Sequence, residues 1–375
     1  MRIYLTGGGT GGHVYPGLAV AEALEALAVE LGLPLEICWV GGTGGMEADL
    51  VAREGLTFRG VASGALRGAG PIGFVQGLVQ LGRGIAEARE LLGAARPDAI
   101  MATGGYASVP LMLAASGERV PSLLYLPDME PGWAVRVLAR WADRVAVSFR
   151  SVGRFFAAEK VLVSGYPVRR ALLDGVPFAA RRRLALDDEP VLLVFGGSRG
   201  ARSINSAVRD HLAELLDVAQ VIHVCGYLDY EQLEGVRQAL DPAERDRYHL
   251  SAYLHDGMTD ALLAADLVVA RAGAGTLGEL PAVGVPAILV PYPYAGAHQA
   301  ANAAYLAENG AAVVVQDREI GQRLGHMALT LLGDTSRRRT MAAAASRLAV
   351  PDAARSIARE LLRLGGYAGS QEGES

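Results

Sequence analysis

The sequence predicts an α/β protein: two Rossmann-like domains in series, each a parallel sheet covered by helices on both faces, facing one another across a cleft. Three observations carry this. Apolar runs of strand length alternate with helical patterns along most of the chain. A strand that ends in a glycine loop and opens a helix occurs at Arg2 to Pro16 and again at Val191 to Asn205. Between the two copies the composition breaks, as Ser164-Gly165-Tyr166-Pro167 leads into a charged segment up to Pro190. Domains are therefore expected at 1–165 and 166–350, with a helix at 352–364 able to pack back on the first and a disordered tail at 365–375.

With 375 residues, 51% of them apolar, the chain is long enough for two cores of ordinary size. Its formal charge of −5 gives no footing for nucleic acid. Cys38 and Cys225 lie in separate apolar runs, the pattern of buried reduced thiols in a cytoplasmic protein. The first strand starts at residue 2, leaving no length for a signal peptide, and no apolar run reaches membrane-spanning length. Contact with a membrane is expected only from the side.

The first strand, Ile3 to Leu5, ends in five glycines within six positions, and Leu18, Ala21, Leu24, Leu27 and Leu31 follow at helical spacing. Glycines let backbone N–H groups approach a ligand and the helix N-terminus adds partial positive charge, so this loop reads as an anion site. Gly7, Gly9 and Gly12 also fit the dinucleotide fingerprint. The second strand, Leu35 to Val40, ends in Gly41-Gly42, however, where a ribose-binding carboxylate belongs. Residues 44–51 read as a loop running into a short helix, and 63–71 as a flexible stretch. Ile72 to Leu92 is helical, with Phe74, Leu78, Leu81, Ile85 and Leu92 on one stripe and Arg67, Arg83 and Arg89 nearby. Such a stripe packs on its own sheet, the commoner outcome, or lies on an anionic bilayer.

Strands at Asp98 to Ala102, Ser122 to Leu126, Arg144 to Ser148 and Lys160 to Val163 complete the first half. Thr103-Gly104-Gly105-Tyr106 repeats the logic of the opening loop, and Pro127 to Gly132 precedes a helix from Trp133. The second half offers strands at Val191 to Phe195, Val221 to Cys225, Tyr248 to Tyr253, Leu267 to Ala270, Ala287 to Val290 and Ala312 to Val315. Loops Arg271 to Glu279 and Pro291 to Asn302 lie at carboxyl ends of strands, where open α/β sheets bind ligands.

Two glycine-looped domains suit a reaction between two phosphorylated substrates. There is no Asp-x-Asp motif to hold a metal on a nucleotide diphosphate, so helix N-termini and arginines are expected to stabilise the leaving diphosphate, without a cofactor. The combination points to a glycosyltransferase of the GT-B class. Gly8-Gly9-Thr10-Gly11-Gly12-His13-Val14-Tyr15-Pro16-Gly17-Leu18-Ala19, Met46-Glu47-Ala48-Asp49-Leu50-Val51, Gly104-Gly105-Tyr106, Pro167-Val168-Arg169 and Gly196-Gly197-Ser198-Arg199-Gly200-Ala201 occur in one order. In that order they resemble the MurG family, the peptidoglycan N-acetylglucosaminyltransferases of glycosyltransferase family 28 that convert lipid I to lipid II.

The resemblance implies that UDP-N-acetylglucosamine binds mainly to the second domain. Ser198 and Arg169 would touch its diphosphate, the backbone near Leu254 its uracil, and Gln299 its sugar hydroxyls. Ala274, Gly275, Thr276, Leu277 and Gly278 would supply a helix N-terminus for phosphate, with Glu279 on the ribose hydroxyls. Thr10, Gly11, Gly12, His13, Gly104, Gly105 and Tyr106 would face the lipid-linked acceptor, with Thr10, Gly11 and Gly12 also bordering the donor. The acceptor's C4 hydroxyl would attack with inversion, at the cytoplasmic face of the bacterial membrane, whose anionic surface is a further implied partner.

Such an attack needs a group that takes a proton, and His13 suits by position and by an ordinary pKa near neutral. Bland readings stand beside the functional ones: His13 caps its helix, Arg169 makes a surface ion pair, Glu279 complements a helix dipole and Gln299 solvates a loop. The chain also departs from the family. Tyr125-Leu126-Pro127-Asp128 stands where most relatives have His-Glu-Gln-Asn, so Asp128 replaces an asparagine that contacts the donor sugar, or acts as a base itself. Ala272-Gly273-Ala274-Gly275-Thr276-Leu277-Gly278-Glu279 replaces Ser-Gly-Ala-Leu-Thr-Val-Ser-Glu, and His298-Gln299 a glutamine pair. A related transferase with another sugar or lipid acceptor, and a non-catalytic nucleotide-sugar or dinucleotide binder, are the alternatives.

Overall fold

Strands form where short apolar runs are bounded by glycine, proline or charge, and helices intervene wherever the apolar period lengthens. The computed structural model describes residues 1–9, 11–45, 47–64, 70–197, 200–254, 257–293 and 298–367, with the side chains of 70–74 outside that description. The chain divides into two compact units, Met1–Arg169 with Val350–Ser375, and Arg170–Ala349.

The first unit holds seven parallel strands: β1 (Arg2–Thr6), β2 (Glu36–Gly42), β3 (Thr57–Val61), β4 (Ala99–Ala102), β5 (Ser122–Leu126), β6 (Arg144–Val147) and β7 (Val161–Val163). Their order is β3-β2-β1-β4-β5-β6-β7. β1, β4 and β5 are almost wholly buried, as strands covered on both faces must be. Strand β3 escapes a reading based on apolar runs because it is an edge strand, whose Thr57, Arg59 and Gly60 face solvent.

One face is covered by the helix Gly11–Leu31 and by the C-terminal helix Ala353–Leu364, whose Ile357, Ala358 and Leu361 are fully buried beside Leu24 and Ile3. The charged faces are held by Arg355, which forms an ion pair with Glu30 of the first helix. The chain after Leu364 does not simply fray: Tyr367 packs partly buried against this core, which corrects the expected disorder at 365–367. Residues 368–375 lie outside the described residues.

On the other face, helix Gly70–Ala94 buries Ala88 and Leu92. Its first half behaves differently, for Val75, Leu78 and Val79 are all exposed. The expected stripe is thus split: its C-terminal end is core and its N-terminal end is apolar surface. The Phe74 side chain and Arg67 lie outside the described residues. No helix among the described residues is long and apolar enough to cross a membrane.

The second unit holds six parallel strands in the order β10-β9-β8-β11-β12-β13. These are β8 (Val191–Phe195), β9 (Gln220–Val224), β10 (Tyr248–Ser251), β11 (Leu267–Ala270), β12 (Ala287–Leu289) and β13 (Ala312–Val314). Cys225 and Cys38 are both buried free thiols.

The second core also contains polar groups. His223 on β9 is fully buried; its Nδ1 lies 2.9 Å from the Tyr248 hydroxyl on β10 and its Nε2 lies 3.0 Å from Asn205 Oδ1 on helix Arg202–Asp210. The amide oxygen only accepts, so Nε2 carries the proton and the tyrosine donates to Nδ1. A neutral ring satisfies both contacts. Burial lowers the imidazole pKa to about 4, against a weaker opposing pull from Asp229.

Unfolded, the ring titrates near 6.5; folded, it stays neutral down to about 4. Between these values the unfolded chain binds the extra proton, so stability falls as pH drops through this window and is unaffected above it. At 1.36 kcal/mol per pKa unit the full effect is about 3 kcal/mol. Urea unfolding at pH 7.5, 6 and 4.5 should show His223→Gln losing this share of the acid sensitivity; a variant with the wild-type slope would show that the ring is not held neutral.

Candidate active site

In a doubly wound sheet, loops leave in opposite directions where the strand order reverses, and backbone is accessible there. The first sheet reverses between β1 and β4, the second between β8 and β11. The four glycine-bearing loops singled out in the sequence leave the carboxyl ends of these four strands.

After β1 and β4 the two loops touch through backbone. A methyl group on Gly105, whose φ is +80°, would sit 2.3 Å from the carbonyl oxygen of Gly8. Only glycine fits there. Thr103 clamps the start of the first helix: its Oγ1 donates to the His13 carbonyl at 2.6 Å, and its N–H to the Thr6 carbonyl at 2.9 Å. The His13 ring returns the contact, Nδ1 lying 2.9 Å from the Thr103 carbonyl oxygen. That oxygen accepts, so Nδ1 carries a proton, which in the neutral ring leaves the lone pair on Nε2. Gly104 lies against the ring, since a Cβ there would come within 3.1 Å of it. Gly11, Gly12 and His13 form the helix start, and Tyr106 is exposed on the neighbouring loop. Thr10 lies outside the described residues.

A buried carboxylate sits behind this loop. Glu47 accepts from the N–H of Gly42 at 2.9 Å and from that of Gly9 at 3.3 Å. The opening loop was expected to bind an outside anion; the Gly9 N–H is already bonded to the Glu47 side chain, while Gly11 to His13 form the first turn of the helix, whose N–H groups point towards its open end.

At the end of β5, Tyr125, Leu126 and Pro127 are buried. The Tyr125 hydroxyl is 2.8 Å from Ser148 Oγ and its ring meets Tyr166 edge-on at 6.3 Å; burial raises the phenol pKa well above its usual value. Three of the four residues that depart from the family pattern are therefore interior exchanges. Only Asp128 is partly open.

Arg169 ends the first unit with its guanidinium 4.6 Å from the centroid of the Tyr15 ring, a cation–π contact. Its buried Nε has no hydrogen-bond partner among the described residues.

In the second unit, Gly200 has φ +75°, and a methyl there would lie 2.2 Å from the Cys225 carbonyl oxygen, so the β8 loop rests on the β9 loop. Ser198 lies outside the described residues. Leu254 is half-buried just beyond β10. The segment expected to start a helix is a 3-10 turn, Ala274–Leu277, followed through Gly278 by the short helix Glu279–Val283. The Thr276 and Gly278 N–H groups bond within the turn, to the carbonyls of Gly273 and Gly275. Tight turning, rather than a long helix dipole, shapes this loop. Gln299 Oε1 accepts from the Tyr292 N–H at 2.9 Å, which orients its amide.

Sequence reasoning placed several residues in the loops and motifs without seeing that they hold these loops. Arg271 directly follows β11, donating to Asp317 at 2.5 Å and to Ser203 Oγ at 2.8 Å, with its guanidinium 5.3 Å from the Tyr292 ring centroid. A lone cation closing an apolar strand was a legible signal. Glu47, Thr103 and Asn205 were not legible in this way, because their partners are 38, 90 and 20 residues distant. Among the described residues no group of His, Cys, Asp or Glu has the geometry to hold a metal.

Known proteins resemble this chain over its length. The glycosyltransferase family 28 N-terminal domain matches residues 3–147 and the family 28 C-terminal domain residues 191–357. The UDP-N-acetylglucosamine–N-acetylmuramyl-(pentapeptide) pyrophosphoryl-undecaprenol N-acetylglucosamine transferase of Roseiflexus sp. (strain RS-1) is 43% identical, covering 96% of this chain and 94% of its own. The same-named transferase of Moorella thermoacetica is 40% identical, covering 97% and 99%. The crystal structure of Acinetobacter baumannii MurG superposes with a TM-score of 0.72 at 28% identity, covering 96% of this chain and 99% of its own. With both domains matched in order and relatives at 40% and 43% identity along nearly the whole length, the chain belongs to glycosyltransferase family 28.

Proposed function

We propose that this protein transfers N-acetylglucosamine from UDP-N-acetylglucosamine to the C4 hydroxyl of the muramyl sugar of lipid I, yielding lipid II. The near-full-length identity to transferases named for that reaction carries the reading, and the four loops at the two strand-order reversals support it.

In this reading the second domain binds the donor. Backbone N–H groups at Gly197, Ala274 and Gly275 face the diphosphate, with Ser198 and Arg169 adding a hydroxyl and a positive charge. The guanidinium of Arg169, partly buried and stacked on Tyr15, with its Nε unpartnered among the described residues, supports its share, since a cation so placed suits an anionic ligand. Leu254 borders the uracil, Glu279 the ribose and Gln299 the sugar, its amide oriented by the bond to Tyr292.

The first domain presents the acceptor through Gly11, Gly12, Gly104, Gly105 and Tyr106. As the C4 oxygen bonds to the anomeric carbon, the bond from that carbon to UDP breaks on the opposite face, and His13 Nε2 takes the hydroxyl proton. The bond from Nδ1 to the Thr103 carbonyl supports this role, because it leaves Nε2 as the basic atom and steadies the imidazolium that forms. Asp128 is read as a sugar contact that accepts hydrogen bonds.

The protein works at the cytoplasmic face of the membrane, where its acceptor is anchored. The exposed Val75, Leu78 and Val79 suit insertion among lipid headgroups. The basic flank contributes less than the sequence suggests, because Arg83 is paired with Glu87 at 2.7 Å.

The direct test is incubation with UDP-N-acetylglucosamine and a short-chain lipid I analogue, following UDP release and product mass. Product gaining one N-acetylhexosamine is expected; turnover only with another UDP-sugar would favour the related-transferase reading left open by Asp128. His13→Ala should lower kcat by about 10²–10⁴ with both substrates saturating, while Asp128→Asn loses far less. Near-normal turnover of the first, or collapse of the second, would move the base from His13 to Asp128. Replacing Leu78 and Val79 together with Glu should reduce co-sedimentation with anionic liposomes by roughly tenfold or more, and unchanged sedimentation would exclude that surface.

A further inference from the structure

We infer that Tyr248, His223 and Asn205 form a buried hydrogen-bonded relay that fixes the backbone on which the donor diphosphate rests, making them positioning residues for donor recognition. The inference rests on the assignment of the donor to the second domain.

The relay ends at the loop it is proposed to hold. Asn205 Nδ2 donates at 2.8 Å to the Cys225 carbonyl, the same oxygen that a methyl at Gly200 would approach to 2.2 Å. Its second amide proton goes to Asp229 Oδ2, also at 2.8 Å, and its Oδ1 accepts from His223 Nε2 at 3.0 Å. The Tyr248 hydroxyl closes the relay on His223 Nδ1 at 2.9 Å. Both amide protons of Asn205, its oxygen and both imidazole nitrogens are thus committed, and Asn205, His223 and Tyr248 are each at most 2% exposed. A saturated polar network has one geometry, unlike an apolar core that can repack.

Three strands meet in this arrangement. The Cys225 and Gly226 N–H groups donate to the Ser251 and Ala252 carbonyls, both at 3.0 Å, which binds the β9 loop to the end of β10 just before Leu254. Gly200, at the end of the β8 loop, lies on the other side of the same turn. Arg202, in the first turn of the helix that carries Asn205, reaches Asp229 Oδ1 at 3.3 Å and is otherwise exposed. The relay therefore couples the backbone at the proposed diphosphate and uracil contacts. An apolar residue at 205 would fill much of the same space, but it would leave His223 Nε2, Asp229 and the Cys225 carbonyl without these bonds and release the Gly200 turn lying against that carbonyl.

The test compares Asn205→Leu, Tyr248→Phe and Gly200→Ala with the wild type, by calorimetric titration of UDP and by separate KM values for donor and acceptor. Asn205→Leu should weaken UDP binding by roughly tenfold and raise the donor KM in step, leaving the acceptor KM in place. Tyr248→Phe, which removes only the distal hydroxyl, should move in the same direction by a smaller factor and keeps the test decisive if Asn205→Leu does not fold. Variants that bind UDP like the wild type while only their unfolding temperature drops would overturn the relay's role. Wild-type protein with no affinity for UDP would overturn the donor assignment instead, and the relay with it.

Discussion

Backbone lying directly on backbone is the constraint on which the glycine loops of both domains depend. In the first domain the Gly8 carbonyl occupies the space that a side chain at Gly105 would need; in the second the Cys225 carbonyl does the same to Gly200. Both glycines also adopt left-handed backbone angles that other residues rarely tolerate. Bringing loops this close puts their N–H groups, rather than side chains, at the carboxyl ends of the strands. Polar backbone at such a place needs support from behind. Glu47 and Thr103 give that support in one domain, and Asn205 in the other.

The two supports differ in charge, and the difference fits a division of labour. Behind the first loop sits a carboxylate, which fills part of the anion site from inside and lowers the loop's appetite for further negative charge. Behind the second sit a neutral imidazole and an amide, with the Asp229 charge held by Asn205 and Arg202. On the proposed assignment a nucleotide diphosphate belongs to the second domain and a sugar hydroxyl to the first, where the Thr103 carbonyl fixes His13 Nδ1.

Much of this was legible in the sequence. Interior parallel strands advertise themselves as unbroken apolar runs, and glycine loops that follow them mark switch-point loops; both sheets and all four loops could be read on that basis. What escaped notice had physical reasons. Strand β3 is an edge, half polar and exposed, so it lacks the signature of a buried strand. The split of helix Gly70–Ala94 into a surface end at Val75, Leu78 and Val79 and a core end at Ala88 and Leu92 is set by tertiary packing, not by its own period. Tyr125 stood out as a departure in a motif, yet its burial against Ser148 and Tyr166 makes it a packing residue. The His223 relay links residues up to 25 positions apart through side chains alone, and nothing local announces it.

The central claim is that donor recognition is made by backbone at the second domain's strand-order reversal, separately from the acceptor loops of the first. Hydrogen–deuterium exchange of the whole protein with and without UDP-N-acetylglucosamine measures this directly. Slowed exchange at 196–201, 252–254 and 273–279, with 7–13 and 103–106 changing only when a lipid I analogue is added, is the predicted result. Protection by the donor confined to the first domain's glycine loops would contradict the account.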